Sequence, residues 1–254
     1  MWAMRVISLN VNGIRAAAAK GLAEWLKDQE PDVICLQEVR CLPEQLPREL
    51  GKLEGYHAYW HPAEKPGYSG VGLLCREKPE DVQVGMGSDF DREGRFLRAI
   101  FDGFSVASVY VPSGSSGPVR QAEKMRFLGE FLPFLGGLGG ENVLCGDFNI
   151  AHKPVDLKNW KANQQNSGFL PEERAWIDAL LAAGYRDVFR ELVGPEAVHY
   201  SWWSQRGQAR AKNVGWRLDY HFSTPGLAGV AHSPRIHPEP LLSDHAPVII
   251  DYSL

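Results

Sequence analysis

Short apolar runs alternate with polar or amphipathic segments along the whole chain. The runs are rich in Val, Ile, Leu, Phe and Tyr, and their lengths suit β-strands. They cover residues 5–11, 33–39, 71–76, 96–102, 105–111, 142–149, 217–223 and 247–252. Several are continuously apolar, which is typical of strands that are covered on both faces.

Amphipathic segments between these runs predict helices. Residues 16–29 carry Leu22, Trp25 and Leu26 on one side of a helical repeat, and residues 171–183 begin with Pro-Glu-Glu, a favourable helix start. The alternation of strands and helices predicts an α/β fold.

Two neighbouring runs change the kind of sheet that is expected. Residues 96–102 and 105–111 are separated only by a short turn that contains Gly103, so they should form an antiparallel hairpin. This favours a mixed sheet, or two sheets packed face to face with helices outside. The polar loops at 112–118 and 153–168 are the expected functional surfaces.

Composition places the chain among ordinary globular proteins. It has 254 residues, 44% of them hydrophobic and 23% charged, and its net charge of -4 gives no bulk attraction for a polyanion. The four cysteines form no CxxC pair and are expected to be buried, reduced thiols. The N-terminus is too short for a signal core, so we expect a cytoplasmic protein without a membrane span.

Polar side chains end three of the apolar runs. Asp147 and Asn149 close one run, and Asn10 and Asn12 close the first. Because residues i and i+2 of a strand face the same side, each pair is expected to project together. Glu38 ends the third run in the same way.

The C-terminal part adds Asp219, Asp244 and His245 to this polar set. Hard oxygen ligands without a Cys or His cluster suit Mg²⁺, with Mn²⁺ as the alternative, rather than zinc. Hydrolysis of a phosphate ester needs such an ion, a base for water and hydrogen-bond donors for the phosphate oxygens. The residues therefore point to a metal-dependent phosphodiesterase.

Five motifs in this order resemble the exonuclease III family of apurinic/apyrimidinic (AP) endonucleases; they lie at residues 9–15, 36–38, 146–149, 215–220 and 243–247. The resemblance runs from the first strand to the last. It implies a single catalytic domain over residues 1–254, built as a four-layer α/β sandwich of two packed mixed β-sheets flanked by helices. It also implies a Mg²⁺-dependent DNA repair enzyme that cuts 5′ to abasic sites and leaves a 3′-hydroxyl, with 3′–5′ exonuclease and 3′-phosphodiesterase activities as additional possibilities.

The resemblance also assigns the metal site. Glu38 would be the Mg²⁺ ligand, Asn10 and Asn12 would support the site, and Asp244 would lie beside it. Some family members have Asp where this chain has Asn12. An amide there removes one charge, so the number of ions stays open.

The catalytic roles follow from the same resemblance. Tyr110 and Asn149 would bind the scissile phosphate, and Asp147 would position and deprotonate the attacking water. His245, oriented by Asp219, would contact a phosphate oxygen. The resemblance leaves open whether Asp147 or His245 is the general base.

For the substrate, the resemblance implies double-stranded DNA with abasic sites or blocked 3′ ends, bound by a monomer. Trp202, Trp216 and Leu218 would wall the pocket for the extruded sugar, although core packing explains these residues equally well from sequence alone. Ser167 and Gly168 would leave room for that sugar. Backbone contacts are expected from Arg15, Lys20, Tyr68, Lys153, Lys158, Lys161, Arg206, Arg210 and Lys212.

Two other functions fit part of the sequence. Non-catalytic regulators that resemble bacterial catabolite-repression control proteins share the fold but lack the acidic residues. Phosphodiesterases of the wider superfamily, such as inositol-phosphate phosphatases, sphingomyelinases and DNase I-like nucleases, share the acidic chemistry but are not expected to share residues 13–15, 67–71 and 215–220.

Overall fold

A computed structural model describes residues 3–254 of the chain. Its strands are β1 (Ala3–Asn10), β2 (Val33–Gln37), β3 (His57–His61), β4 (Val71–Cys75), β5 (Asp81–Val84), β6 (Phe96–Phe101), β7 (Phe104–Tyr110), β8 (Glu141–Asp147), β9 (Arg186–Asp187), β10 (Trp202–Trp203), β11 (Gly215–Trp216), β12 (Asp219–Ser223), β13 (Ala231–Ile236) and β14 (Val248–Ser253). Its helices are α1 (Ile14–Ala18), α2 (Leu22–Gln29), α3 (Arg48–Gly51), α4 (Pro118–Gly136), α5 (Pro171–Ala182), α6 (Val188–Val193) and α7 (Pro225–Gly229).

Twelve of these strands form two six-stranded sheets. The first sheet has the order β13-β14-β1-β2-β4-β3, and the second has the order β5-β6-β7-β8-β12-β9. In each sheet one central pair is parallel, β1 with β2 and β7 with β8, and the other pairs are antiparallel. The predicted hairpin between β6 and β7 is confirmed.

The sheets pack face to face, and helices cover their outer faces. Val6, Cys35, Val106 and Val143 belong to the apolar cluster between the sheets. A second cluster joins the outer face of one sheet to α1 and α2. A third joins the other sheet to α4 and α5. The predicted fold, a four-layer α/β sandwich with two mixed sheets, is confirmed.

The predicted strands are the eight inner strands of the two sheets. The sequence did not reveal the edge strands, because β3, β5 and β13 are only partly buried and lack a continuous apolar run. The single helix predicted over residues 16–29 is wrong. Gly21 adopts a left-handed conformation with φ 88° and separates α1 from α2.

All four cysteines are buried and free, as predicted. Across residues 3–254, no helix combines the length and apolar character that crossing a membrane requires. The prediction for the N-terminal segment falls partly on residues 1 and 2, which lie outside the described residues.

Candidate active site

Three inner strands, β1, β2 and β8, end on the same side of the molecule in tight turns. Asn12, Glu38 and Asn149 follow these strands with φ values of 45°, 49° and 52°. Left-handed backbone costs a non-glycine residue about 1 kcal/mol or more, and such conformations concentrate at functional sites. The turns end the three strands and bring the polar side chains at these strand ends close together.

The turns correct the expectation that these pairs share a strand face. β8 ends at Asp147, and Asn149 lies beyond the strand. The two residues meet because the backbone N–H of Asn149 donates to Asp147 Oδ1 at 2.8 Å. The backbone N–H of Asn12 likewise donates to Asn10 Oδ1 at 2.9 Å. Local hydrogen bonds of this kind stabilise turns rather than strands.

Asn10 bridges the two strand ends that carry Glu38 and Asp147. Its Nδ2 donates to Glu38 Oε1 at 2.8 Å and to Asp147 Oδ2 at 2.8 Å. Asn10 is fully buried, and its amide therefore holds two carboxylates close together without adding charge. Arg40 contacts the second oxygen of Glu38. The four carboxylates Glu38, Asp147, Asp219 and Asp244, together with Asn10, Arg40 and His245, are called the acidic cluster below.

Asp219 is hydrogen-bonded to the His245 ring. The two groups meet at 2.9 Å between Nδ1 and Oδ2, and since a carboxylate can only accept, Nδ1 carries a proton. Ser201 donates to the same Asp219 oxygen at 2.6 Å. His245 Nε2 then lies 3.8 Å from Asp147 Oδ2, at the base of the cleft described below.

Burial and charge set the protonation of this group. Burial raises the pKa of Asp147 to about 7, against the opposing effect of His245. Burial would lower the pKa of His245, but Asp219 and Asp147 outweigh it and raise that pKa to about 10. At neutral pH, His245 is therefore an imidazolium, and Asp147 takes up or releases its proton close to neutral pH.

The donor set fits a hard divalent cation. Glu38 and Asp147 each offer one carboxylate oxygen, and these oxygens and one ring nitrogen of the protonated His245 lie within 4.8 Å of one another. The carboxylates outnumber the cations next to them, and carboxylate oxygen is the preferred ligand of Mg²⁺ and Mn²⁺. Asp244 lies next to Asn12 and Trp202, since Asn12 Nδ2 donates to it at 3.0 Å and Trp202 Nε1 at 3.2 Å.

A cleft of about 410 Å³ opens above the acidic cluster. Its lining includes these predicted residues: Asn12, Glu38, Tyr68, Tyr110, Asn149, Ser167, Gly168, Trp202, Trp216, Leu218, Asp244 and His245. Asn10, Asp147 and Asp219 are buried beneath it. Arg15 and Lys20 are exposed and do not line it.

One wall of the cleft is aromatic and the opposite wall is basic. The Trp202 and Trp216 rings are 6.5 Å apart at 78°, and Leu218 packs in the same apolar cluster. Arg40, Arg95 and Arg120 line the cleft as well. These arginines were not among the site residues predicted from the sequence, because none of them is the last residue of an apolar run or a member of a polar pair.

The whole catalytic region matches one family model. The description of that model is "Endonuclease/Exonuclease/phosphatase family", and the match covers residues 7–245. The chain belongs to this family. The family resemblance predicted from the five motifs is thereby confirmed.

Two relatives of the chain are named as nucleases. The chain is 41% identical to the DNA repair nuclease APEX1 of Danio rerio, over 97% of this chain and 81% of the relative. It is 38% identical to an exodeoxyribonuclease of Bacillus subtilis, over 96% of this chain and 98% of the relative. The alternative of a non-catalytic regulator finds no support among these relatives.

Solved structures agree with the fold and the class of enzyme. An AP endonuclease from Archaeoglobus fulgidus superposes with a TM-score of 0.90 and 28% identity, covering 99% of this chain and 100% of that chain. The 3′ phosphatase NExo from Neisseria, bound to a product DNA hairpin, superposes with a TM-score of 0.90 and 26% identity, over 99% and 100% of the two chains.

Proposed function

We propose that this chain is a DNA repair nuclease that cuts the backbone on the 5′ side of an abasic site and leaves a 3′-hydroxyl. The observation that carries the proposal is the acidic cluster at the base of a cleft with aromatic walls. The cluster supplies the chemistry of phosphodiester hydrolysis, and the walls supply the selection of a substrate. The nuclease names of the relatives support DNA as that substrate.

The metal site is proposed around Glu38, with Asn10 as its support and with Asn12 and Asp244 on the adjacent rim. A bound Mg²⁺ or Mn²⁺ would neutralise charge on the scissile phosphate and on the departing oxygen. Asn10 uses its amide hydrogens on Glu38 and Asp147 and its oxygen on the Asn12 backbone. Its role in this arrangement is to space the two carboxylates rather than to ligate.

Asp147 is proposed as the general base. It is buried at the base of the cleft, and the bonds from Asn10 and Asn149 fix its plane. His245 is unsuited to that role, because its Nδ1 proton is bound to Asp219 and the two flanking carboxylates keep the second nitrogen protonated. It would instead donate from Nε2 to a phosphate oxygen and stabilise the developing charge.

Asn149 and Tyr110 are proposed to bind the phosphate. Asn149 Nδ2 donates to Val111 O at 2.9 Å and, more weakly, to Asp147 Oδ2 at 3.2 Å. A phosphate oxygen would replace Asp147 as acceptor of the longer bond. Burial raises the pKa of Tyr110 well above its usual value, so its hydroxyl stays protonated and able to donate.

Trp202, Trp216 and Leu218 are proposed to enclose an extruded, baseless sugar. Such enzymes extrude the target nucleotide, and an apolar pocket of limited size rejects an intact nucleotide. Tyr68 and the surrounding arginines would hold the backbone of double-stranded DNA, while Arg15 and Lys20 could only contact it further from the cleft. We also propose that the enzyme acts as a monomer in the cytoplasm.

The test compares labelled duplexes that carry an abasic site, an intact sequence or a 3′-phosphate, with a phosphoinositide as a non-DNA control, in Mg²⁺ and in EDTA. We expect Mg²⁺-dependent incision 5′ to the abasic site, removal of the 3′-phosphate, and no turnover in EDTA. Cleavage of intact duplex or phosphoinositide at the same rate would instead indicate a phosphodiesterase of the wider superfamily.

A single substitution tests the pocket. Ser167 lines the cleft beside Gly168, so Ser167→His should place a bulky ring where the sugar enters. We expect it to reduce cleavage at abasic sites more than removal of 3′-phosphates. Equal losses of both activities would refute the pocket.

A further inference from the structure

A fully buried ion pair joins the two helices behind the active site. Lys124 of α4 and Glu173 of α5 meet at 2.6 Å between Nζ and Oε1, and both side chains have 0% exposure. Neither residue lines the cleft. Apolar residues of similar volume often give equal or greater stability than a buried ion pair. Stability alone therefore does not explain this pair, and its other hydrogen-bond partners indicate its role.

Lys124 reaches the turn that holds Asp147. Its Nζ donates to the backbone carbonyl of Asn149 at 2.7 Å. Asn149 is one of the left-handed residues, with φ 52°, and its backbone N–H fixes Asp147 Oδ1. Lys124 therefore fixes the carbonyl group of Asn149. The N–H group of the same residue orients Asp147, the proposed base.

Glu173 reaches the cleft wall. Its Oε2 accepts from the backbone N–H of Gly168 at 2.7 Å and of Leu170 at 3.0 Å. Its Oε1 also accepts from Ser167 Oγ at 3.3 Å and from Gln121 Nε2 at 3.0 Å. One carboxylate therefore fixes the segment 167–170 by both its backbone and a side chain.

The wall and the chain that follows the turn are joined at Gly168, whose carbonyl oxygen accepts from the backbone N–H of Ala151 at 2.7 Å. A Cβ on Gly168 would lie 3.2 Å from the Trp216 ring and 3.3 Å from Asn149 O, the same oxygen that Lys124 binds. Small displacements of either segment are therefore transmitted to the other. A misplacement of about 1 Å can reduce an enzymatic rate about 100-fold.

We propose that Lys124 and Glu173 are positioning residues that lock the turn 147–149 to the cleft wall 167–170. The lock holds the groups that activate water and bind phosphate at a fixed distance from the wall that admits the sugar. The inference rests on the proposed function of the cleft. It assigns Lys124 to the rate of the chemical step on every substrate, and Glu173 to the preference for abasic sites.

The test uses two double variants, both free of the buried charges. In Lys124→Met/Glu173→Gln, the glutamine oxygen can still accept from the Gly168 and Leu170 amides. In Lys124→Met/Glu173→Met, those bonds are lost as well. Arg126→Met on the same helix is the matched control, because the ion pairs of Arg126 with Glu123 and Glu130 are exposed, and methionine keeps an apolar stem beside the Phe90 ring on which the guanidinium lies.

For both double variants we expect kcat to fall about 10-fold to 100-fold on abasic and on 3′-phosphate DNA, with a smaller change in KM. Only the Met/Met variant should also lose preference for abasic sites. Because removal of both charges leaves no unpaired buried ion, both double variants should stay folded, and a Tm measured in parallel checks this. A double variant with wild-type kcat on both substrates would overturn the lock.

Two further measurements keep the inference testable if a double variant folds poorly. Glu173→Asp keeps the charge but has a shorter side chain, which no longer reaches the Gly168 and Leu170 amides. Abasic-site cleavage should therefore fall more than 3′-phosphate removal. Equal losses of the two activities would refute the role of Glu173 in holding the wall. The Asn149 amide resonance in ¹⁵N-Asn-labelled, DNA-free protein should shift in Lys124→Arg, which keeps the buried pair charged but changes the donor to the Asn149 carbonyl, and should not shift in Arg126→Met. An unshifted resonance would refute the turn contact even if the wild-type enzyme failed to cut either DNA.

Discussion

Two buried charge clusters in this molecule are built from similar residues and differ in their balance of charge. The Arg217 cluster pairs two cations with two carboxylates; its members are Arg217, Arg190, Asp156 and Asp187. The acidic cluster has four carboxylates beside one imidazole and the half-exposed Arg40, a surplus of negative charge. We infer that the balanced cluster stabilises the fold, and that the unbalanced one requires a cation to offset its negative charge before a phosphate can bind there.

Hydrogen bonds show the same contrast. In the Arg217 cluster, Asp187 accepts from Arg217 at 3.0 and 2.7 Å, and Asp156 accepts from Arg217 at 2.7 Å and from Arg190 at 2.5 Å. Every carboxylate oxygen of the Arg217 cluster accepts a hydrogen bond, and Arg190 Nε is the buried atom that lacks a partner there. In the acidic cluster it is a carboxylate oxygen, Asp219 Oδ1, that has no hydrogen-bond partner among residues 3–254. Buried groups that are left incompletely satisfied often have a function other than stability.

The largest effect is expected from Asp219→Asn. This substitution removes the negative charge that orients His245 and raises its pKa. We expect kcat on abasic DNA to fall about 10²-fold to 10⁴-fold, the usual contribution of a positioned proton donor. Single-turnover cleavage measures it. Asp187→Asn, which removes a carboxylate of the Arg217 cluster, is the control and should cut normally while folded. Near wild-type turnover by Asp219→Asn would show that cleavage does not depend on the contact between Asp219 and His245.

The next effect is on stability. Arg217→Met leaves Asp187 buried without its partner, so the free energy of unfolding should fall by about 3–5 kcal/mol. Urea denaturation measures this change. The exposed-pair variant Arg186→Met should leave the free energy of unfolding nearly unchanged, because solvent screens its pair with Glu191. An Arg217→Met protein as stable as this control would mean that the Arg217 cluster does not hold the fold.

A smaller effect appears in acid. Burial would raise the pKa of Asp156, but Arg217 and Arg190 outweigh it and lower the pKa from 3.8 to about 2. A lowered carboxyl pKa adds stability that is complete above the unfolded value of 3.8 and is lost as the pH falls through about 2. The contribution is about 2 kcal/mol. Asp156→Asn should lack this part of the acid transition in thermal unfolding; an unchanged pH profile would count against it.

The eight inner strands and the residues that end them could be predicted from the sequence, because inner strands are continuously apolar and their polar ends interrupt that pattern. The edge strands could not, since partial exposure removes the pattern. The turn at Asn149 was also missed, because no glycine marks its left-handed backbone.

Contacts between distant residues explain most of what the sequence left hidden in the site. Ser201 and Asp219 are 18 residues apart, and Lys124 and Glu173 are 49 apart. Nothing local marks a serine or a lysine as the partner of a residue so far along the chain. Such pairs become visible only when the strands and helices are assembled.

The smallest effect is the response to metal. Mg²⁺ at tenfold above its Kd should stabilise the folded protein by about 1.4 kcal/mol. Glu38→Gln should lose most of this gain, whereas Asp187→Asn should keep it. Thermal unfolding with and without Mg²⁺ measures the difference. An equal gain in Glu38→Gln would place the ion outside the acidic cluster.

The contrast between the clusters is tested most directly by one cleavage experiment on an end-labelled abasic duplex in Mg²⁺, with Asp147→Asn and Asp156→Asn compared under single turnover. We predict that Asp147→Asn folds with undiminished stability and does not cut, and that Asp156→Asn is less stable but cuts at the wild-type rate below its Tm. Wild-type cleavage by Asp147→Asn would contradict the account.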